Sequence, residues 1–136
     1  MSKLENLNKL LRNIVVLLLS FNLTSCGLAY EKQITGRYYI ISVDTKTDFG
    51  LGYRLSSGNY IGKAPGLLLE YGFNSTFLVA KTRDYKDKHS SYYIIDMTRD
   101  SELAHEEIFR VGPITEEKYN KTWKQTLGIQ LKNIKY

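Results

Sequence analysis

The same four residues occur in two stretches of the sequence. The quartet Tyr-Tyr-Ile-Ile opens residues 38–44 (YYIISVD) and recurs within residues 91–97 (SYYIIDM). Tyrosine and isoleucine favour strands, and the first copy alternates, with Tyr39, Ile41 and Val43 on one face and Ser42 and Asp44 on the other. Because no residues around the two copies repeat, an internal repeat is not indicated. We expect both stretches to be strands of one antiparallel sheet.

Turn residues between apolar stretches predict further strands of this sheet. Residues 51–56 form a strand candidate that ends at 57–59 (SGN), where Gly58 accommodates a turn. Residues 66–73 and 76–82 are apolar and are separated only by Asn74-Ser75, a spacing typical of a tight hairpin. The sequence therefore predicts a sheet of about five antiparallel strands.

Helix signals appear after Gly112-Pro113. Thr115 is a suitable N-cap, Gly128 suits a C-cap, and the intervening apolar residues recur at intervals of four: Tyr119, Trp123 and Leu127. These features predict one C-terminal amphipathic helix of about twelve residues, packed on the sheet through its Trp123 side. The fold class is α+β. Residues 99–111 stay ambiguous between helix and strand, and residues 129–136 could add an edge strand.

Composition limits the class of protein. The chain has 136 residues, of which 43% are hydrophobic and 24% charged, a composition typical of one globular domain. A single cysteine excludes a disulfide framework and a cysteine-rich zinc site. The net charge is +5, and no run of five like charges occurs. Nucleic acid is therefore not an expected partner.

The N-terminus has the features of a secretory leader. Lys3, Lys9 and Arg12 precede residues 14–23, which are apolar apart from one serine and one asparagine. A helix that crosses a bilayer needs about 20 apolar residues, so this stretch is too short. We predict a signal peptide over residues 1–25, a tether over residues 26–36 and a single domain over residues 37–136.

The junction Leu23-Thr24-Ser25-Cys26-Gly27 resembles the lipobox of bacterial lipoproteins. The resemblance implies that Cys26 receives a diacylglyceryl group, becomes the first mature residue and can be further acylated, for example with palmitate. Two or more acyl chains anchor a protein stably to a membrane. The expected location is thus the bacterial cell envelope, where the protein is lipid-anchored and extracytoplasmic. An incidental cysteine after an ordinary secretory leader is the alternative.

A second resemblance covers most of the mature chain. Four stretches carry it: 71–74 (YGFN), 77–81 (FLVAK), 92–96 (YYIID) and 112–115 (GPIT). In this succession they look like a family of small bacterial lipoproteins that is defined as a domain of unknown function. That family has no assigned activity and no catalytic residues to transfer. The resemblance thus implies an envelope protein and leaves its role open.

Common catalytic signatures are not found in the sequence. It has no glycine-rich phosphate loop, no His-Glu-x-x-His helix and no Gly-x-Ser-x-Gly elbow. We expect His89 and His105, like the charged residues Asp84 and Asp87, to be solvated surface residues. We therefore predict no enzymatic activity, no cofactor and no metal site. A hydrolase with paired carboxylates is the weakest of three functional hypotheses.

All eleven tyrosines lie in the mature part of the chain. Tyrosine favours strands, but it also favours recognition surfaces. We predict that Tyr38 and Tyr92 point outwards and form a patch for a protein or a glycan. The predicted function is a non-catalytic binding or scaffolding module with an envelope protein as its partner. The alternative is an inhibitor or immunity-type protein that neutralises a hydrolase or toxin by inserting residues 83–90.

Overall fold

The computed structural model describes residues 3–20, 27–45 and 47–135. The chain begins with helix α1, Lys3–Ser20, which lies within the predicted leader. Among the described residues, no helix combines the length and the apolar character that crossing a membrane requires. Cys26, the predicted lipidation site, lies outside the described residues. The leader and the lipid anchor stay predictions.

Four strands in chain order form the first sheet. They are β1 (Tyr30–Thr35), β2 (Tyr38–Ser42), β3 (Gly50–Arg54) and β4 (Tyr60–Ala64), and each pairs antiparallel with the next. The predicted tether over residues 26–36 is therefore wrong from Tyr30 onwards. Its strand was missed because β1 is an edge strand with the exposed polar sequence Glu31-Lys32-Gln33, which has no apolar alternation.

The second sheet holds five antiparallel strands, of which the last two along the chain lie at opposite edges: spatially they follow the order 110–114, 90–96, 77–83, 67–73 and 132–133. They are β5 (Leu67–Phe73), β6 (Phe77–Arg83), β7 (Ser90–Asp96), β8 (Arg110–Ile114) and β9 (Lys132–Asn133). The β5–β6 hairpin confirms the turn predicted at Asn74-Ser75. The ambiguous stretch divides between a short helix, α2 (Glu106–Phe109), and β8. The α+β class is confirmed, but the two quartets lie in different sheets rather than in one.

The C-terminal helix, α3, spans residues 116–127 as predicted. It has an α-turn, Glu116–Lys118, then a π-helical turn, Tyr119–Trp123, and a final α-turn, Lys124–Leu127. The Thr115 side chain accepts a hydrogen bond from the Lys118 amide at 3.3 Å, and Gly128 caps the other end with a left-handed φ of 60°. Both predicted caps are confirmed.

The elements stack in three layers. The inner faces of the two sheets pack against each other, with Ile40 and Leu51 of the first sheet in one apolar cluster with Leu78 and Ile95 of the second. A second cluster joins the outer face of the second sheet to α3; it contains Val79, Tyr92, Ile94, Ile114, Tyr119, Ile129, Phe77, Trp123, Leu127 and Leu131. The second sheet is therefore covered on both faces, whereas among the described residues no apolar cluster packs on the outer face of the first sheet.

Candidate functional site

The free outer face of the first sheet carries a group of aromatic and charged side chains. We call it the tyrosine face and define it as Glu31, Tyr39, Ile41, Arg54 and Tyr60. Strand pairing places them together: Glu31 lies opposite Ile41, Tyr39 opposite Gly52, and Arg54 opposite Tyr60. Because strand residues alternate between faces, all five point away from the second sheet.

A glycine makes the close packing of this face possible. The rings of Tyr39 and Tyr60 meet edge to face, with centroids 5.3 Å apart. A Cβ atom at Gly52 would lie 2.7 Å from Cδ1 of Ile41 and 3.2 Å from the ring of Tyr60. Because Gly52 has no Cβ atom, the side chains of Ile41 and Tyr60 can lie across β3 at this position. The guanidinium carbon of Arg54 lies 5.9 Å from the centroid of the Tyr39 ring, within cation–π range.

The polar groups of the tyrosine face are incompletely paired. The Tyr60 hydroxyl is buried and makes no hydrogen bond of ordinary geometry, although the Glu31 carboxylate lies beside it. Burial, followed by that carboxylate, raises the pKa of Tyr60 to about 12. The Tyr39 hydroxyl raises the pKa of Arg54, so this side chain stays cationic. The exposed charged groups of the face are the Arg54 guanidinium and the Glu31 carboxylate.

Two grooves flank the tyrosine pair. One, with a volume of about 460 Å³, is bounded by Arg37, Tyr39, Arg54 and the turn after β3. The other, of about 610 Å³, lies between Glu31, Tyr60 and the exposed Val43, and Gly27 and Leu28 form part of its wall. Aromatic rings and a cation between two grooves suit binding of another molecule.

The patch predicted at Tyr38 and Tyr92 is wrong. Each of these residues is only 4% exposed. Tyr38 faces the second sheet. The side chains of β2 that point outwards are therefore Tyr39 and Ile41. Tyr92 lies under α3, where its ring stacks on Tyr119 at a centroid distance of 4.2 Å. The alternation in the sequence of β2 allowed either orientation, and only the packing of the second sheet on Tyr38 and Ile40 decides between them.

The residues predicted as solvated surface lie there. His89, Asp84 and Asp87 belong to the exposed tip between β6 and β7, and His105 is exposed just before α2. Tyr85 at the same tip is 67% exposed. Within the described ranges, no three His, Cys, Asp or Glu side chains are grouped closely enough to hold a metal ion.

A polar cleft between the second sheet and α3 is the main alternative concavity. Here the Lys81 ammonium lies 3.1 Å from Glu116 and 3.5 Å from Glu70, and the Tyr92 hydroxyl donates to Glu116 at 3.0 Å. Hydrogen bonds from Lys81 and then Tyr92 lower the pKa of Glu116. Burial opposes the charge on Lys81, but its bonds to Tyr92 and Glu116 raise its pKa overall. The same ammonium engages both carboxylates, which ties α3 to the sheet.

A buried ion pair between the two sheets escaped the sequence analysis entirely. The Lys63 ammonium on β4 lies 2.6 Å from Oδ1 of Asp100, which follows β7. Lys63 sits in Gly-Lys-Ala and Asp100 in a charged turn, and neither context distinguishes them from surface residues. Only the packing of the two sheets brings them together.

Comparison with known proteins gives no match: neither a protein-family model, nor a curated protein, nor a solved structure resembles this chain. The two resemblances drawn from the sequence therefore stay predictions. The geometry of the tyrosine face alone carries the functional argument.

Proposed function

We propose that this protein is a lipid-anchored envelope protein that binds another envelope protein through its tyrosine face, without catalysing a reaction. The observation that carries the proposal is the arrangement of Tyr39, Arg54 and Tyr60 on the free face of the first sheet. Tyrosine and arginine, together with tryptophan, are enriched among the residues that contribute most to the binding energy of protein interfaces.

The chain connection supports a partner close to the membrane. Cys26 is bonded to Gly27, and Gly27 and Leu28 line the groove beside Tyr60. Strand β1 begins at Tyr30, so at most about 14 Å of extended chain separates it from an anchor on Cys26. A domain held this closely presents its tyrosine face near the membrane surface.

The lipid anchor has its own test. Replacing Cys26→Ala is expected to abolish lipidation and to release the folded domain in soluble form, because the acyl chains supply the membrane affinity. Fractionation of membranes and mass spectrometry of the N-terminal peptide measure both effects. An unlipidated protein that stays in the membrane fraction would contradict the anchor.

The tyrosine face is tested by cross-linking in cells that express the full lipidated chain, followed by binding measurements with the captured protein. We expect Tyr39→Ala and Arg54→Ala each to weaken binding by about thirtyfold or more, as interface hot spots do. Tyr85→Ala is the matched control, because it removes an exposed tyrosine from a different surface. Circular dichroism establishes that each variant is folded.

Other outcomes contradict the proposed surface or the proposed partner. Loss of binding in Tyr85→Ala, with Tyr39→Ala unaffected, would favour the alternative of an inhibitor that inserts residues 83–90. Binding of an envelope glycan that Tyr39→Ala abolishes, with no protein captured, would contradict a protein partner.

A further inference from the structure

Lys63 and Asp100 form a buried contact between an amine and a carboxyl group. Their side chains are 2% and 0% exposed, and Nζ of Lys63 lies 2.6 Å from Oδ1 of Asp100. Nζ is also 4.5 Å from the ring centroid of Tyr53 and 4.3 Å from that of Phe109. The amine and the carboxyl group therefore lie in contact beside two aromatic rings, shielded from bulk solvent between the two sheets.

Two further contacts orient the pair. The Tyr38 hydroxyl donates to Oδ2 of Asp100 at 2.6 Å, the oxygen that does not face the lysine. Nζ of Lys63 also donates to the main-chain oxygen of Ser101 at 3.2 Å. The carboxyl group is thus held on one oxygen by a proton donor, while the nitrogen faces the other. Burial, followed by the bond to Asp100, raises the pKa of Tyr38, so its donating proton is retained.

We propose that Lys63 and Asp100 condense to form an intramolecular isopeptide bond that joins the two sheets covalently. The ammonium first transfers a proton to Oδ1, which leaves a neutral amine and a carboxylic acid. The amine nitrogen then attacks Cγ of Asp100, and the N–Cγ bond forms. Oδ1 takes a second proton from the nitrogen and leaves as water, so the Cγ–Oδ1 bond breaks. One amide and one water molecule are produced, without an oxidant or a co-reactant.

Each surrounding group has a role in this step. The proton transfer removes two charges from an interior that solvates charges poorly. Tyr38 is a positioning residue whose hydrogen bond polarises the carboxyl group through Oδ2, which becomes the amide oxygen. The amide N–H that remains can donate to Ser101. Well-oriented intramolecular reactions reach effective molarities of about 10⁵ to 10⁸ M, and both side chains of this pair are shielded from bulk solvent.

Peptide mapping of the full-length protein tests the proposal directly. Digestion with trypsin under denaturing conditions should give one branched peptide that joins residues 55–81 to residues 100–110, because trypsin does not cleave after an acylated Lys63. Its mass should be lower by one water molecule than the sum of its two arms. If circular dichroism shows a folded protein and digestion yields separate peptides 55–63, 64–81 and 100–110, the proposal is overturned.

Variants assign the bond to this pair. Lys63→Arg and Asp100→Ala should remove the branched peptide, and a link that persists in either would place the bond elsewhere. Tyr38→Phe is expected to lower the linked fraction at least tenfold at early times after folding, measured in protein that circular dichroism shows to be folded. An unchanged rate in that variant would contradict the positioning role of Tyr38.

Discussion

The two copies of Tyr-Tyr-Ile-Ile have the same sequence and different environments. In β2, burial alternates: Tyr38 and Ile40 are buried, whereas Tyr39 and Ile41 stay partly exposed. In β7, all four residues of the second copy are buried. The first sheet has one packed face, while the second is enclosed between the first sheet and α3.

This difference shows that the layers around a strand decide its role. The second copy is core on both faces because α3 adds a third layer. In the part of the chain that the structure describes, no third layer packs on the first copy, so its outward half can form a recognition surface. The predictions below compare equivalent positions in the two copies or in their sheets.

The largest expected contrast is between the last isoleucines of the two copies. Ile95 is fully buried between the sheets, so Ile95→Ala should lower the free energy of unfolding by about 3 kcal/mol through lost burial and a cavity. Ile41→Ala removes a partly exposed side chain and should cost about 1 kcal/mol or less. Urea unfolding of both variants measures the difference. Equal losses would contradict the assignment of the first sheet's outer face as free.

Local signals made α3 and the β5–β6 hairpin predictable. Thr115, Gly128 and Asn74-Ser75 act within a few residues of the elements that they delimit, so their chemistry can be interpreted without the fold. The edge strand β1 lacked such a signal, because Glu31-Lys32-Gln33 is exposed and its partner strand supplies the pairing.

The candidate sites depend on residues far apart in the chain. Whether Tyr38 or Tyr39 points outwards depends on which face of the first sheet the second sheet covers, and the sequence of β2 allows either. Lys63 and Asp100 are separated by 37 positions, and their contact exists only after the two sheets pack. Such contacts have no local signature.

A second contrast compares glycines on the outer faces of the two sheets. At Gly72 of β5, a Cβ atom would lie 2.4 Å from the main-chain oxygen of Gln130, which cannot move independently. Gly72→Ala should therefore cost about 2 kcal/mol by overpacking. At Gly62 of β4 nothing lies within 4 Å of the new atom, and Gly62→Ala should be neutral or stabilising by up to about 0.5 kcal/mol. Thermal unfolding of both variants decides; a large loss at Gly62 would show that the tyrosine face is covered.

Alkaline pH should affect the second copy more than the first. Burial raises the pKa of Tyr38 in one copy and of both Tyr92 and Tyr93 in the other. A native pKa above the unfolded value of about 10 favours the folded state below that pH. This stabilisation is lost as the pH rises further, by at most about 1.4 kcal/mol per pH unit for each group.

Urea unfolding at about pH 9 and about pH 11 measures this loss of stability, because the two pH values lie on either side of the ordinary tyrosine pKa of about 10. Replacing Tyr92 and Tyr93 together by Phe should reduce the loss more than Tyr38→Phe does, with unfolding of each variant at the lower pH as its own reference. The reverse order would mean that the single tyrosine between the sheets dominates the alkaline transition.

The smallest expected effect concerns the contact that covers the second copy. Tyr92 and Tyr119 stack, but only the Tyr92 hydroxyl has a partner, Glu116. The Tyr119 hydroxyl is buried and unpaired, so Tyr119→Phe removes an unsatisfied polar group and should raise the free energy of unfolding by up to about 1 kcal/mol. Tyr92→Phe breaks a hydrogen bond to a charged group and should lower it by about 1 kcal/mol. The stacked rings are retained in both variants, so opposite signs in urea unfolding would isolate the two hydroxyls. A destabilising Tyr119→Phe would instead mean that this hydroxyl has a hydrogen-bond partner in solution.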